Sequence, residues 1–282
     1  MEWVDSLNAT IMYIEDHLTD EIDYGELAKL ACCSTYHYQR MFAYMAGVTL
    51  SEYIRRRRMS RAAVDLQSGE KVIDVGLRYG YQSPTAFNRA FQAVHGVAPS
   101  AVQDKETPVK SYSPLRFTIT IKGVEEMEYH IQKMDAIRIV GVSMPIEKDM
   151  EQNFQVVPRL WDKVAKNGTL QRLTAMMDSQ PMGILGVCDC PDGGQWRYYV
   201  AAASKHPAEG LEEYTIPAAT WAVFRGAGSV QSIQDLERRI LTEWLPTSGY
   251  EYGSAPDIEV YLNPDPADAK YEVWIPVEKK DS

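Results

Sequence analysis

The sequence is poor in cysteine, with four in 282 residues: Cys32, Cys33, Cys188 and Cys190. One adjacent pair and one pair a single residue apart make a poor disulfide framework. Neither has a metal-type spacing with histidine, so a structural or incidental role is expected. No apolar run approaches the ~18 residues of a membrane span, and the opening MEWVDSLNAT lacks the apolar core of a secretory signal. A soluble, cytoplasmic chain with no membrane partner is expected. A Gly-rich phosphate loop, a Ser/His/Asp constellation and a metal cluster are missing too, and the five histidines (His17, His37, His95, His130, His206) are scattered. No catalytic residue, metal or cofactor is therefore expected. Net positive charge is also lacking. The formal charge of −10 excludes a protein that coats nucleic acid along its whole surface.

That deficit is uneven. Residues 1–105 hold 11 Lys and Arg against 13 Asp and Glu, whereas residues 106–282 hold 18 against 26. Inside the first part, residues 34–89 carry nine basic side chains against four acidic ones, so a polyanion site would be local. The length suits two domains.

The first hundred residues read as helices. Leu7, Ile11, Ile14 and Leu18 mark an amphipathic helix, and Asp23 is placed to cap the next, Tyr24–Ala31. In STYHYQRMFAYMAG, residues 34–47, Tyr38, Met41, Phe42 and Met45 recur at i, i+3, i+4, i+7 as a buried stripe, leaving Tyr36, Gln39, Arg40 and Ala43 as an exposed ridge. Ser51–Gln67 is a longer helix containing Arg55–Arg58 and Arg61, followed by a short helix Val72–Arg78. Ser83-Pro84 then opens a helix ending near His95-Gly96. Its stripe, Phe87, Ala90, Phe91 and Val94, lies 49 residues after the first, as do Ser83, Arg89 and Gly96 after Ser34, Arg40 and Gly47. Its ridge is Thr85, Asn88, Arg89 and Gln92. Two helix-turn-helix units, 24–47 and 72–96, are the natural reading, the second turn one residue longer.

Arg bonds guanine bidentately and Asn or Gln bonds adenine in the major groove, while Thr and aromatic carbons pack on thymine methyls. Two such ridges let one chain read successive major-groove segments. Tyr36, Gln39, Arg40, Thr85, Asn88 and Arg89 are the expected base readers, with Arg55, Arg58 and Arg61 as phosphate contacts. The stretches LAKLACCSTYHYQRMFAYMAGVTLSEYIRRRRMSRA and VIDVGLRYGYQSPTAFNRAFQAVHGVAPSAV resemble the two halves of the AraC/XylS-type DNA-binding domain, over about residues 5–102. The second half is the more specific: GY, then S, then F-x-R-x-F, then G-V-x-P. The resemblance implies a transcription regulator, not an enzyme, and puts the same six residues in base-reading positions. One departure is Gly76, where the family usually has Ala, and a slightly looser helix is expected there.

Residues 105–116, polar and with two prolines, read as a linker between a DNA-binding domain, 1–104, and a second domain, 117–282. Here strands are expected at Phe117–Ile121, Met127–Ile131, Ile137–Val142, Ile184–Val187, Trp196–Ala203, Ala219–Arg225, Asp257–Leu262 and Tyr271–Pro276, with helices at Phe154–Lys166 and Ile233–Leu245. Two strand-helix-strand-strand cycles indicate a duplicated α+β domain, making the chain multidomain: an all-α domain followed by an α+β domain.

In this second part, alternation puts Asp257, Glu259 and Tyr261 on one face and Ile258, Val260 and Leu262, the core set, on the other. Glu272 and Trp274 share a face on the last strand. Trp196, Tyr198, Tyr199, Trp221, Phe224, Tyr261 and Trp274 all lie on expected strands. A carboxylate among aromatic faces suits a cationic or aromatic guest. The duplicated pattern and the closing E-x-Y … E-x-W-I-P-V resemble the GyrI-like effector-binding domain, from about Met127 to Lys279. The resemblance implies that Glu259 and Trp274, 15 residues apart, bind a cationic effector. Tyr261 is expected in the same pocket, with Trp196, Tyr198, Trp221 and Phe224 as further lining. The expected partners are double-stranded promoter DNA, a small aromatic or cationic effector and RNA polymerase, with activation the expected output. Two alternatives stand beside this reading: a DNA-tethered hydrolase with Glu259 as general base, or a protein-interaction module whose aromatics are core.

Overall fold

The computed structural model describes residues 3–118, 126–148, 150–191, 193–263 and 269–280. The chain divides into two compact units, Met1–Ile121 and Lys122–Ser282.

The first unit is helical: α1 (Trp3–Asp16), α2 (Tyr24–Leu30), α3 (Thr35–Ala46), α4 (Leu50–Gln67), α5 (Val72–Arg78) and α6 (Pro84–His95), closed by a 3-10 turn at Pro99–Gln103. Its helices start and stop on side-chain chemistry. Asp23 caps α2 by accepting from the Gly25 amide at 2.7 Å. Ser34 and Ser83, 49 residues apart, cap α3 and α6 by accepting from the His37 and Ala86 amides at 3.3 and 3.2 Å. Both helices end on a left-handed glycine, Gly47 and Gly96, with φ of 70° and 80°. Only a residue without Cβ takes that turn at little cost. The turns between α2 and α3 and between α5 and α6 span residues 31–34 and 79–83, so the second is one residue longer. Before α4, Thr49 accepts from the Glu52 amide at 3.3 Å, a Ser/Thr-x-x-Glu cap.

Phe87 and Phe91 join Met59, Ala62, Ala63, Leu66 and Val75 in one core. Gly76 belongs to this packing: a Cβ there would sit 3.2 Å from Cγ of Phe87. Where a slightly looser helix was expected, the glycine lets α5 and α6 approach closely.

Residues 110–117, within and just beyond the expected linker, are strapped to this unit. The Lys110 amide donates to His95 Nδ1 at 3.2 Å and the Tyr112 amide to Ser60 Oγ at 3.0 Å. The Leu115 amide donates to the Tyr53 hydroxyl at 3.2 Å. Asn8 donates to the Phe117 carbonyl at 3.0 Å and accepts from its amide at 2.9 Å. Arg57 donates to the Tyr112 carbonyl and holds Glu15 through two bonds of 2.7 and 2.6 Å. The expected strand Phe117–Ile121 is coil at Phe117 and Thr118, and its remainder lies outside the described residues.

The second unit contains β1 (Tyr129–Met134), β2 (Ile137–Pro145), α7 (Met150–Lys166), α8 (Thr169–Met176), β3 (Ile184–Asp189), β4 (Arg197–Ala203), β5 (Glu212–Ile216), β6 (Ala219–Gly228), α9 (Val230–Arg239), β7 (Tyr250–Tyr252), β8 (Ile258–Tyr261) and β9 (Ala269–Lys279). The sheet runs β1-β6-β9-β8-β3-β4-β2-β5, with β7 on β9, and every pair is antiparallel. Its centre is duplicated. The first repeat, β2-α7-β3-β4, contributes the order β3-β4-β2, and the second, β6-α9-β8-β9, contributes β8-β9-β6. The two repeats meet where β3 pairs with β8.

Strands β5 and β7 and helix α8 were not expected from the sequence. The expected helix Ile233–Leu245 is regular only to Arg239, and a wide turn over Ile240–Trp244 follows. That turn re-aims Trp244 onto the Phe224 ring, 4.9 Å away. Leu262, expected in the core, lies one residue past β8 and is 48% exposed.

Candidate nucleic-acid interface and effector site

On α6 the second ridge stands open: Thr85, Asn88, Arg89 and Gln92 are all exposed. The Gln92 amide donates to the Asn88 side-chain carbonyl at 2.7 Å. The first ridge differs from expectation. Tyr36, Gln39 and Arg40 are buried, at 5, 2 and 7% exposure. Arg40 lies 6.0 Å from the Tyr36 ring and 5.8 Å from that of Tyr44, one turn away on either side. Rings at i−4 and i+4 flank the guanidinium, and every residue from Tyr36 to Phe42 is buried, so both faces of this stretch of α3 are covered. Met45, expected in the buried stripe, is half-buried.

The arginines of α4 divide by role. Arg58 donates to the carbonyls of Leu18 and Asp20 at 2.9 and 2.6 Å, fastening α4 to the turn before α2. Arg55 pairs with Glu52 on its own helix. Arg61 is exposed and has no ion pair among the described residues.

In the second unit, strand register decides which aromatics share a face with Glu259. Directly opposed residues of antiparallel strands lie on the same face. Glu259 opposes Gly186 and Val273, and Tyr261 opposes Tyr271. Val273 in turn opposes Phe224, and Gly186 opposes Val200, two positions from Tyr198. Tyr198, Tyr261 and Phe224 therefore lie on the Glu259 face. Trp274 opposes Ile258, and Trp221 opposes Pro276, two positions past Trp274. Both tryptophans sit on the other face, in the core with Val187, Tyr199 and Val260. Their expected lining role is thereby corrected. The spacing of 15 puts Trp274 on the neighbouring strand but one residue out of phase with Glu259, and a one-residue offset exchanges faces. For these two side chains the plain core reading holds. Trp196 is buried just before β4, off the paired strand. Phe224 packs on Tyr129 and Trp244.

Around Glu259 the groups converge. Its Oε2 accepts from the Tyr261 hydroxyl at 2.9 Å and from the Tyr198 hydroxyl at 3.5 Å. From α7, Trp161 Nε1 donates to the Tyr198 oxygen at 2.9 Å, and its ring meets that of Tyr261 edge-on at 4.8 Å. Gly186 forms the floor: a Cβ there would stand 2.3 Å from the Tyr198 hydroxyl and 3.0 Å from Glu259 Oε2. Burial first, and the Glu259 charge second, push both phenols well above their ordinary pKa. Both stay protonated and serve as donors to the carboxylate. Glu259 itself is half-buried. Trp161 was missed from the sequence, since its helix carried no chemical motif to single it out.

Cys188 and Cys190 neighbour this face. Burial, and then the Cys188 thiol, push the Cys190 thiol up. No group of three or more His, Cys, Asp and Glu that could hold a metal occurs among the described residues. No helix among them is long and apolar enough to cross a membrane.

An all-helical unit with two helix-turn-helix motifs is joined in one chain to an α+β unit in which a carboxylate, two phenols and an indole converge, the make-up of a DNA-binding regulator with a small-molecule domain. Comparison with known proteins gives the family. Residues 27–105 match a helix-turn-helix domain and residues 127–278 the GyrI-like small molecule binding domain. The HTH-type transcriptional activator AarP of Providencia stuartii is 34% identical over 102 residues, covering 36% of this chain and 76% of AarP. The transcriptional regulator Rob of Salmonella typhimurium is 22% identical over 287 residues, covering 95% of this chain and 96% of Rob. A bacterial transcription regulation protein from Staphylococcus aureus has a TM-score of 0.47 at 24% identity, over 54% of this chain and 99% of that one. The chain belongs to the AraC-type transcription regulators that carry a GyrI-like small-molecule-binding domain.

Proposed function

We propose that the chain is a cytoplasmic activator that binds double-stranded promoter DNA through α3 and α6 and responds to an aromatic cation held at Glu259. The observation that carries the effector reading is the half-buried Glu259 carboxylate, which accepts from two phenols beneath an indole. A carboxylate ringed by aromatic faces attracts a cation by charge and by the ring quadrupoles. Tyr198, Tyr261 and Trp161 are its lining. On the DNA side, Thr85, Asn88 and Arg89 read bases from the open ridge and Arg61 meets phosphate. Arg55 and Arg58 move from phosphate contacts to scaffold, since Glu52 and the Leu18 and Asp20 carbonyls engage them. Tyr36, Gln39 and Arg40 on α3 read a second groove segment. The bound regulator then engages RNA polymerase.

The test uses the full chain and a DNA site selected by it from a random pool. Arg89→Ala is expected to weaken that site at least ~10-fold, a bidentate guanine contact being worth about 1–3 kcal/mol. Glu259→Gln is expected to weaken phenyltrimethylammonium binding in calorimetry. Unchanged site affinity in the first variant, or unchanged cation affinity in the second, rejects the corresponding half of the reading.

A further inference from the structure

The end of β3 carries two cysteines that the effector reading does not use. Side chains two residues apart on a strand line one face. Cys188 directly opposes Tyr198 across the β3–β4 pair, and Gly186, two residues earlier, opposes Glu259. The Cys188 thiol therefore lies on the Glu259 face, beside the phenol that donates to that carboxylate. Asp189 between the cysteines points the other way. Its Oδ1 accepts from the Tyr214 hydroxyl at 2.9 Å, and the Tyr214 ring stacks on Tyr199 in the core of the opposite face. Cys190 follows the last residue of β3, and its thiol is hydrogen-bonded to that of Cys188. Both thiols are free and half-buried.

What such a pair can bind is limited by ligand count and by protons. No third His, Cys, Asp or Glu joins the thiols in a metal-holding group among the described residues, so a zinc site there is short of ligands. Metal binding and disulfide exchange both pass through thiolates. Burial, and then the Cys188 thiol, hold the Cys190 thiol in its protonated form. A trivalent arsenical, R–As(OH)2, needs no thiolate at equilibrium. With two thiols, two As–S bonds form, two As–O and two S–H bonds break, and two waters leave. Arsenic stays trivalent and no net proton is released. The adduct is neutral, which a site removed from water favours.

We infer that Cys188 and Cys190 form a covalent dithiol site for trivalent aryl-arsenicals, bridged by one arsenic atom with the aryl ring turned towards Tyr198. The site stands whether or not Glu259 takes a cation, because its chemistry uses the two sulfurs alone.

The test uses the full chain carrying Cys32→Ser, which dismantles the other cysteine pair, Cys32 and Cys33. Phenylarsine oxide, which hydrates to the dihydroxy form, is expected to add once per chain, read by intact mass. Adding Cys188→Ala or Cys190→Ala is expected to weaken uptake ~100-fold or more, since the second thiol closes the ring intramolecularly. A readout free of further variants is release: 2,3-dimercaptopropanol is expected to strip the adduct, and glutathione to leave it in place. Methylarsonous acid, which lacks the ring, is expected to bind less tightly than the phenyl compound once both are scaled to their affinity for dimercaptopropanol. No uptake by the Cys32→Ser chain, uptake kept in either alanine variant, or release by glutathione overturns the dithiol site. Equal scaled affinities for the two arsenicals overturn the placement of the ring.

Discussion

Gly186 shows how one missing Cβ builds a site. With the Tyr198 hydroxyl 2.3 Å and Glu259 Oε2 3.0 Å from where a Cβ would stand, any side chain there displaces both polar groups. Gly186→Ala is expected to destabilise the second unit by about 1–3 kcal/mol, as overpacking does, and to weaken cation binding. Adding Tyr198→Phe, which removes the hydroxyl, is expected to restore part of the stability. Thermal melting of the single and double variants checks this, and strictly additive losses would show that the two residues do not clash. Residue-scale chemistry was legible in part. Glu259 stood out because alternation placed a carboxylate beside an aromatic on a strand, and Tyr261 followed from the same period. The roles of Trp221 and Trp274 were not legible, because facing depends on register between strands and not on spacing within one.

At the scale of elements, the strap over residues 110–117 ties α1, α4 and α6 together through backbone groups. Proline and polar composition suggested a free linker, but hydrogen bonds made by a main chain leave no mark on its own residue types. The marks lie on the partners, Asn8, Tyr53, Ser60 and His95, which are unremarkable in isolation. Asn8→Ala removes both bonds to the Phe117 backbone and is expected to cost about 1–2 kcal/mol in denaturant unfolding, at roughly 1 kcal/mol per bond. Faster hydrogen exchange of the Phe117 amide is expected with it, and an exchange rate already that of open coil in the wild type would contradict the strap. The paired helices α3 and α6, by contrast, were legible to within a residue. Serine caps, glycine stops and a repeat of 49 residues are local chemistry, written where they act.

For the molecule as a whole, the overall acidity hides a basic stretch, residues 34–89, inside the helical unit, and that unit carries its own pH-sensitive bond. His95, 5% exposed, bonds the Met59 carbonyl through Nε2 and accepts the Lys110 amide at Nδ1, 3.0 and 3.2 Å away. Both bonds suit the neutral ring, and burial lowers its pKa below the ordinary value. The unfolded chain therefore takes up the proton first as pH falls. The stability that neutral His95 supplies is complete above about pH 6.5 and is lost below it. Denaturation midpoints of the full chain between pH 7.5 and 5.5 are expected to fall at the transition of the helical unit. In His95→Gln that slope is expected to flatten, and a slope kept in the variant would assign the effect to another group.

What the sequence by itself determined is whatever local chemistry and period carry: six helices and the side-chain caps of four of them, the strand-helix-strand-strand duplication, and the carboxylate–tyrosine pair on β8. Tertiary structure alone decided three further matters. These are the burial of Tyr36, Gln39 and Arg40 on α3, the placement of Trp221 and Trp274 in the core, and the meeting of Trp161 with the Glu259 face. The physical reason is common to all three. Each depends on how an element is rotated or registered against its neighbours, and that is settled by packing summed over many residues, not by the identity of any one of them.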